Sequence, residues 1–212
     1  MALITNYSTL QSAISDWLAR ADLTGVIPTF IQLAESRLNR DIKSPRLIFP
    51  HTGTLSSRTI ALPDRFYTEQ GVLCEILSLS VSIGGRDVVL EPLTPSSATD
   101  AQIGGIPRGY YVIENTIAII GGNGDEAYTL RVKNSLPQIA SSRNNYTNWL
   151  LQKAPELYLY AALLEASPYL KADARISIWA EGYRVALESL NAQEERLTRG
   201  PGIRIKPVHY AP

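Results

Sequence analysis

The sequence predicts an α+β fold: a helical core of two helical hairpins, one N-terminal and one C-terminal, with a small antiparallel β module inserted between them and an extended C-terminal arm. Three observations predict it. The stretch from Thr147 to Leu197 is dense in apolar side chains at helical spacing. From about Pro50 to Pro137 the apolar period becomes two, and Gly, Ser and Asn turns separate short β-rich runs. From Arg199 onward the chain is too rich in Pro and Gly for a helix. The divisions implied are 1–46 for the first hairpin, 47–140 for the β module, 141–198 for the C-terminal helices and 199–212 for the arm.

In the first hairpin, over residues 6–43, Asn6 is placed as an N-cap, and Leu10, Ile14, Trp17 and Leu18 then mark one apolar stripe. The helix breaks at Asp22-Leu-Thr-Gly25. Pro28 opens a second helix, where its missing N–H is no loss, and Ile27, Ile31, Ala34 and Leu38 repeat the helical period. Arg37, Arg40 and Lys43 fall in its last turns, where cations complement the helix dipole, and Pro45 closes the segment.

Within the β module, Leu77, Leu79, Val81 and Ile83 alternate strictly with polar residues. Gly84-Gly85 separates them from Arg86-Asp-Val-Val-Leu90 by the two residues a tight hairpin needs. Tyr110–Glu114 and Thr116–Ile120 suggest a second hairpin about Glu114-Asn115, and Tyr128, Leu130 and Val132 a further strand. Pro92–Pro107 has no periodicity, and loops of that length are usually functional or mobile.

The C-terminal helices differ in character. Residues 157–164 are apolar or Tyr on every face, so the helix from Pro155 to Ser167 is expected at the centre of the core, with Pro168 stopping it. In the next helix Ile176, Trp179, Tyr183, Leu187, Leu190 and Leu197 keep one packed stripe, and Glu181, Arg184 and Glu188 form a wet face. The arm that follows alternates Ile203 and Ile205 with Arg204 and Lys206. Such a pattern suits an extended strand laid on a partner's sheet edge or groove, or a weakly basic tail.

Composition narrows the function. Twenty basic against twenty acidic side chains argue against binding nucleic acid through a broad basic patch. One cysteine, Cys74, rules out an internal disulfide framework and a Cys-rich zinc site and fits a reducing cytosol. No basic leader precedes an apolar run, and no stretch nears about 18 uninterrupted apolar residues, so neither export nor a membrane span is expected. With two histidines, His51 and His209, a His-based zinc site is nearly excluded, and no cofactor, metal or catalytic residue is assigned. Cys74 reads as a small buried thiol and makes at best a weak dyad with His51. Gly121-Gly-Asn-Gly-Asp125 lacks the Lys-Ser/Thr of a phosphate loop and reads as a turn, and Asp125-Glu126 alone is a weak calcium signal. A structural protein is favoured over a hydrolase or over a DNA binder using Arg37, Arg40, Lys43 and Arg46.

An ordered series of motifs carries a resemblance. Tyr7-x-x-Leu10 and Ile14-x-x-Trp17-Leu18-x-Arg20-x-Asp22-Leu23 lead into Ile27-Pro28-x-Phe30-Ile31-x-Leu33-Ala34-Glu35-x-Arg37-Leu38-Asn39-Arg40. Leu62-Pro63-Asp64-x-Phe66, Gly105-x-Pro107-x-x-Tyr110-Tyr111, Thr147-Asn148-Trp149-Leu150-Leu151 and Pro155-x-Leu157-Tyr158-Leu159-Tyr160-Ala161 follow in turn. In order and spacing these resemble the head-to-tail connector adaptor proteins of tailed bacteriophages, over most of residues 5–198. The resemblance implies a virion neck protein, assembled in the host cytoplasm. It would form a homo-oligomeric ring, expected to be a dodecamer, below the portal protein. The ring would extend the channel through which double-stranded DNA passes and offer a platform to the tail or next neck protein. On that reading the arm meets the portal through Ile203, Ile205, Val208 and Tyr210, with Arg204 and Lys206 facing acidic groups. A tail-completion or lower neck protein of the same virion is the alternative.

Overall fold

The computed structural model describes residues 3–62, 73–94, 105–139, 147–170 and 174–199. The chain divides into two compact units, Met1–Pro45 with Ile139–Pro212, and Arg46–Gln138.

The first unit is helical. Helix α1 (Tyr7–Leu18) starts at Asn6, whose side chain accepts the Thr9 N–H at 2.9 Å while the Thr9 hydroxyl accepts the Asn6 N–H at 3.0 Å. Two of the orphan donors of a helix start are thereby satisfied reciprocally. Ala19 ends it in the left-handed region, at φ 53°. A 3-10 stretch at Ala21–Val26 leads to α2 (Ile27–Asp41), with Pro28 in its first turn. Asn148 caps α3 (Trp149–Lys153) through the Leu151 N–H, and Ala154 separates α3 from α4 (Pro155–Glu165). Helix α5 spans Arg175–Arg199.

Helix α4 is the hub of this unit, because Leu157, Tyr158, Leu159, Ala161, Ala162 and Leu163 leave it almost no wet face. Helices α1, α2, α3 and α5 all pack against it. They bring the buried stripes Leu10, Ile14 and Leu18 from α1, Phe30, Ile31 and Leu38 from α2, and Trp179, Tyr183 and Leu190 from α5. Each such side chain contributes about 1.5–3 kcal/mol by leaving water. Trp17 meets Tyr160 edge-on at 5.9 Å. At Gly182 a Cβ would stand 2.8 Å from the Tyr160 ring, so the absence of a side chain there lets α5 lie close to α4.

The second unit is a seven-stranded sheet in the order β1-β7-β3-β4-β5-β6-β2. Its strands are β1 (Ile48–Thr54), β2 (Thr59–Ala61), β3 (Leu73–Ile83), β4 (Arg86–Pro92), β5 (Gly109–Ile113), β6 (Thr116–Ile120) and β7 (Ala127–Asn134). Gly84 and Gly85 turn β3 into β4 with φ of 56° and 82°, the two positive values a type I′ hairpin requires. Arg86–Leu90 of β4 pair with β3, whereas Glu91 and Pro92 pair in parallel with β5. Register shifts in β3 between Leu73 and Glu75 and between Ile76 and Ser78 bend that strand, as bulges do. The sheet curls into a half-barrel. Its own core includes Leu79, Val81, Leu90, Ile117, Leu130 and Val132.

These findings correct the expected architecture. The β structure is not a small antiparallel module attached to a helical core but a curled, mixed sheet of seven strands with its own hydrophobic core. Pro50 falls inside the run Ile48–Thr54 and hides β1, because Pro lacks a ladder donor and demotes a strand reading. The parallel β4–β5 pair joins strands on either side of residues 93–108, and such a pairing leaves no local signature. Three helices, not a two-helix hairpin, follow the sheet.

Candidate functional site

The sequence-based site residues Ile203, Arg204, Ile205, Lys206, Val208 and Tyr210 lie outside the described residues. The structure does describe the helix from which that arm departs. The C-terminal half of α5 is fastened to the rest of its unit by polar side chains on its inner stripe.

Asn191 and Glu194 make that attachment. The Asn191 Oδ1 accepts the Lys43 N–H at 2.9 Å and its Nδ2 donates to the Asp41 carbonyl at 3.3 Å, so one amide side chain serves two backbone groups just past α2. Glu194 is fully buried. Its Oε2 accepts the Ser44 hydroxyl at 2.6 Å, and its Oε1 pairs with the Lys153 ammonium from α3. A charge so deeply buried survives only when paired and hydrogen-bonded, as this one is. Two turns earlier the Tyr183 hydroxyl donates to Asp41 Oδ2 at 2.7 Å. Burial, followed by that bond to a carboxylate, pushes the Tyr183 phenol well above its ordinary value. The Arg37 guanidinium lies 6.0 Å from the centre of the Tyr183 ring and pairs with Glu165 of α4 at 2.6 Å.

A second polar cluster surrounds α4. Glu35, buried on α2, accepts the Ile139 N–H at 2.7 Å where the chain re-enters the helical unit. Asn148, which caps α3 with its oxygen, donates from its nitrogen to the Tyr158 hydroxyl at 2.7 Å. Burial drives the Tyr158 phenol far above its usual range, and the negative charge of Glu35 adds to the shift. No sequence motif marked these residues as a group. The available signal was a charge on an apolar stripe: Glu35 beside Ala34 and Leu38, and Glu194 four residues after Leu190.

The remaining candidates are dispersed. Arg37 is engaged by Glu165, Lys43 belongs to the helical unit and Arg46 to the sheet unit. His51 stands opposite Leu130 in β1, and β7 runs between that strand and the β3 strand carrying Cys74. The Glu126 carboxylate accepts the N–H groups of Asn123 and Gly124 at 2.6 and 2.8 Å. Although burial opposes it, these backbone donors hold Glu126 below the usual carboxylate range. The loop therefore folds around its own acid. Among the described residues no group of His, Cys, Asp or Glu is placed to hold a metal ion, and no helix is long and apolar enough to cross a membrane.

The model of a family described as SU10 adaptor protein matches residues 5–205 of this chain. No curated protein matches it.

Proposed function

The chain belongs to the SU10 adaptor protein family, a phage head-to-tail adaptor family, and we propose on that premise that it is the connector ring subunit docking below the portal. The family assigns a structural adaptor role and a place among virion components. The observation that carries the finer reading is the extent of the match, which runs through both units and into the arm. In this reading twelve copies close into a ring, the helical unit builds its wall and the arm seats on the portal. A closed ring needs two different faces per subunit, and a chain of two dissimilar units supplies them. The sheet unit faces the tail side, with the loop after β4. Equal numbers of basic and acidic side chains suit a channel through which DNA must slide, since many phosphate–cation pairs would retard it.

The test is electron microscopy with mass determination of the protein alone and mixed with the portal of the same virus. A dodecameric ring stacked coaxially on the portal is the expected result. Absence of association, in a preparation shown to be folded, would move the protein to a tail-completion or lower neck position. Removing residues 200–212 should abolish portal binding and leave the helical circular dichroism unchanged. Binding at wild-type strength would refute the role given to the arm.

A further inference from the structure

Strand side chains alternate between faces, so the sheet's register fixes which face each occupies. One face carries the core. Away from the core, β1, β7, β3 and β4 present Arg131, Lys133, Glu75, Asp87 and Glu91 among serines and threonines, the polar face expected of a sheet with one side in water. The other end of the same sheet is different. Strands β5, β6 and β2, Gly109–Ile113, Thr116–Ile120 and Thr59–Ala61, contain no charged residue. Away from the core they show Tyr111, Ile113, Ala118 and Ile120. Leu93 extends the patch by lying over Gly109, where a Cβ would come within 2.5 Å of its Cδ1. Ile113 is 50% exposed, and Ile106, 65% exposed, sits beside the end of β6 with its carbonyl 2.8 Å from where a Gly121 Cβ would be.

Depletion of charge is what distinguishes the centre of an interface from ordinary surface. The occupant follows from matching this face against the chain's other surfaces. A ring contact is heterologous, so a neighbouring copy would have to offer a different uncharged face. Among the described residues the helical unit offers none: on α5 the exposed Ile178 and Val185 are interleaved with Glu181, Arg184 and Glu188. Face-to-same-face contact would give two-fold dimers, not a ring. Size points the same way. Three strands about 4.8 Å apart and about five residues long cover roughly 240 Å², well below the ~800 Å² per partner of a lasting interface. Such a patch becomes effective when repeated around a ring that engages one assembly through many copies.

We infer that the uncharged outer face of β5, β6 and β2, with Ile106 at its border, docks an apolar, uncharged surface of a different protein, the component added next on the tail side. This rests on the adaptor reading above and names the surface that reading leaves open. The test substitutes Ile113→Asp, with Val89→Asp as a control at an exposed position on the charged part of the same sheet. Folding is followed by circular dichroism, ring addition to portal by microscopy, and tail attachment by counting tailed particles in cells supplying each variant. Ile113→Asp should add to portal like wild type and reduce tailed particles at least tenfold, while Val89→Asp changes neither. If Ile113→Asp misfolds, Ile113→Thr carries the test, with a smaller loss expected in the same step. Tail attachment at the wild-type level in the folded variant overturns the inference and leaves the adaptor reading standing. Failure of the folded variant to form rings, or a two-fold dimer of wild type that the substitution splits, would make the face a contact between copies. A wild type that never adds to portal removes the adaptor reading itself.

Discussion

Replacing Lys153 by Met tests whether the attachment of α5 is a structural necessity. The substitution keeps the length and much of the volume of the side chain and removes its charge. Glu194, 0% exposed, would retain the Ser44 hydroxyl and lose its only printed cation. Stranding one member of a buried pair costs about 3–5 kcal/mol. The side chain of Lys153 is 30% exposed, so water reaches the cationic end of the pair and the lower end of that range, about 3 kcal/mol, is expected. For a chain of this size that corresponds to a fall in Tm of roughly 6–12 °C. The assay is urea and thermal unfolding followed at 222 nm for wild type, Lys153→Met, Glu194→Leu and the double variant. The double variant should recover most of the loss, because replacing both charges leaves nothing unpaired. A loss under about 0.5 kcal/mol in Lys153→Met, within the range of ordinary surface substitutions, would refute the reasoning, as would a double variant showing the sum of the single losses.

Other expectations follow from local geometry. Tyr158 and Tyr183 have phenols raised in the folded state, so above about pH 10 the unfolded chain sheds protons the native one keeps. Stability should then fall with rising pH by about 1.4 kcal/mol per unit for each tyrosine, and Tyr158→Phe should remove about half of that slope; an unchanged slope would contradict the assignment. Gly121→Ala places a Cβ 2.8 Å from the Ile106 carbonyl at a φ of 86°, for a loss of about 2 kcal/mol or more in urea unfolding. Asn6→Ala deletes the side-chain half of the cap on α1 and should cost about 1 kcal/mol in the same assay, and Asn6→Ser, another strong N-cap, should restore most of it.

The elements that the sequence reveals are those specified by neighbours along the chain. Pro155, the unbroken apolar run behind it and Asn6 each act over a turn or two, and α4 and α1 begin where those residues place them. The Gly84-Gly85 turn is likewise local. Long-range pairing was invisible: nothing near Glu91 announces a parallel partner at Gly109, and nothing in Ile48–Thr54 announces a seven-residue partnership with β7. The polar attachments of α5 were half legible. A glutamate on an apolar stripe signals a buried partner, but its identity as Lys153 and Ser44 depends on how three separate segments meet.

Pro50 has a consequence for how many such chains can be crowded together. Leu55 donates to the Glu126 carbonyl across the β1–β7 pair, and the unbroken register below it makes Thr54, Thr52, Pro50 and Ile48 the residues whose amides point away from β7. A bare outer strand of seven residues is a ready template for a foreign backbone, and twelve copies held side by side would raise the local concentration of such templates. With no hydrogen on its nitrogen, Pro50 removes one donor from the middle of that row and breaks the continuity an added strand would need. The edge is guarded against runaway strand-by-strand growth into fibres.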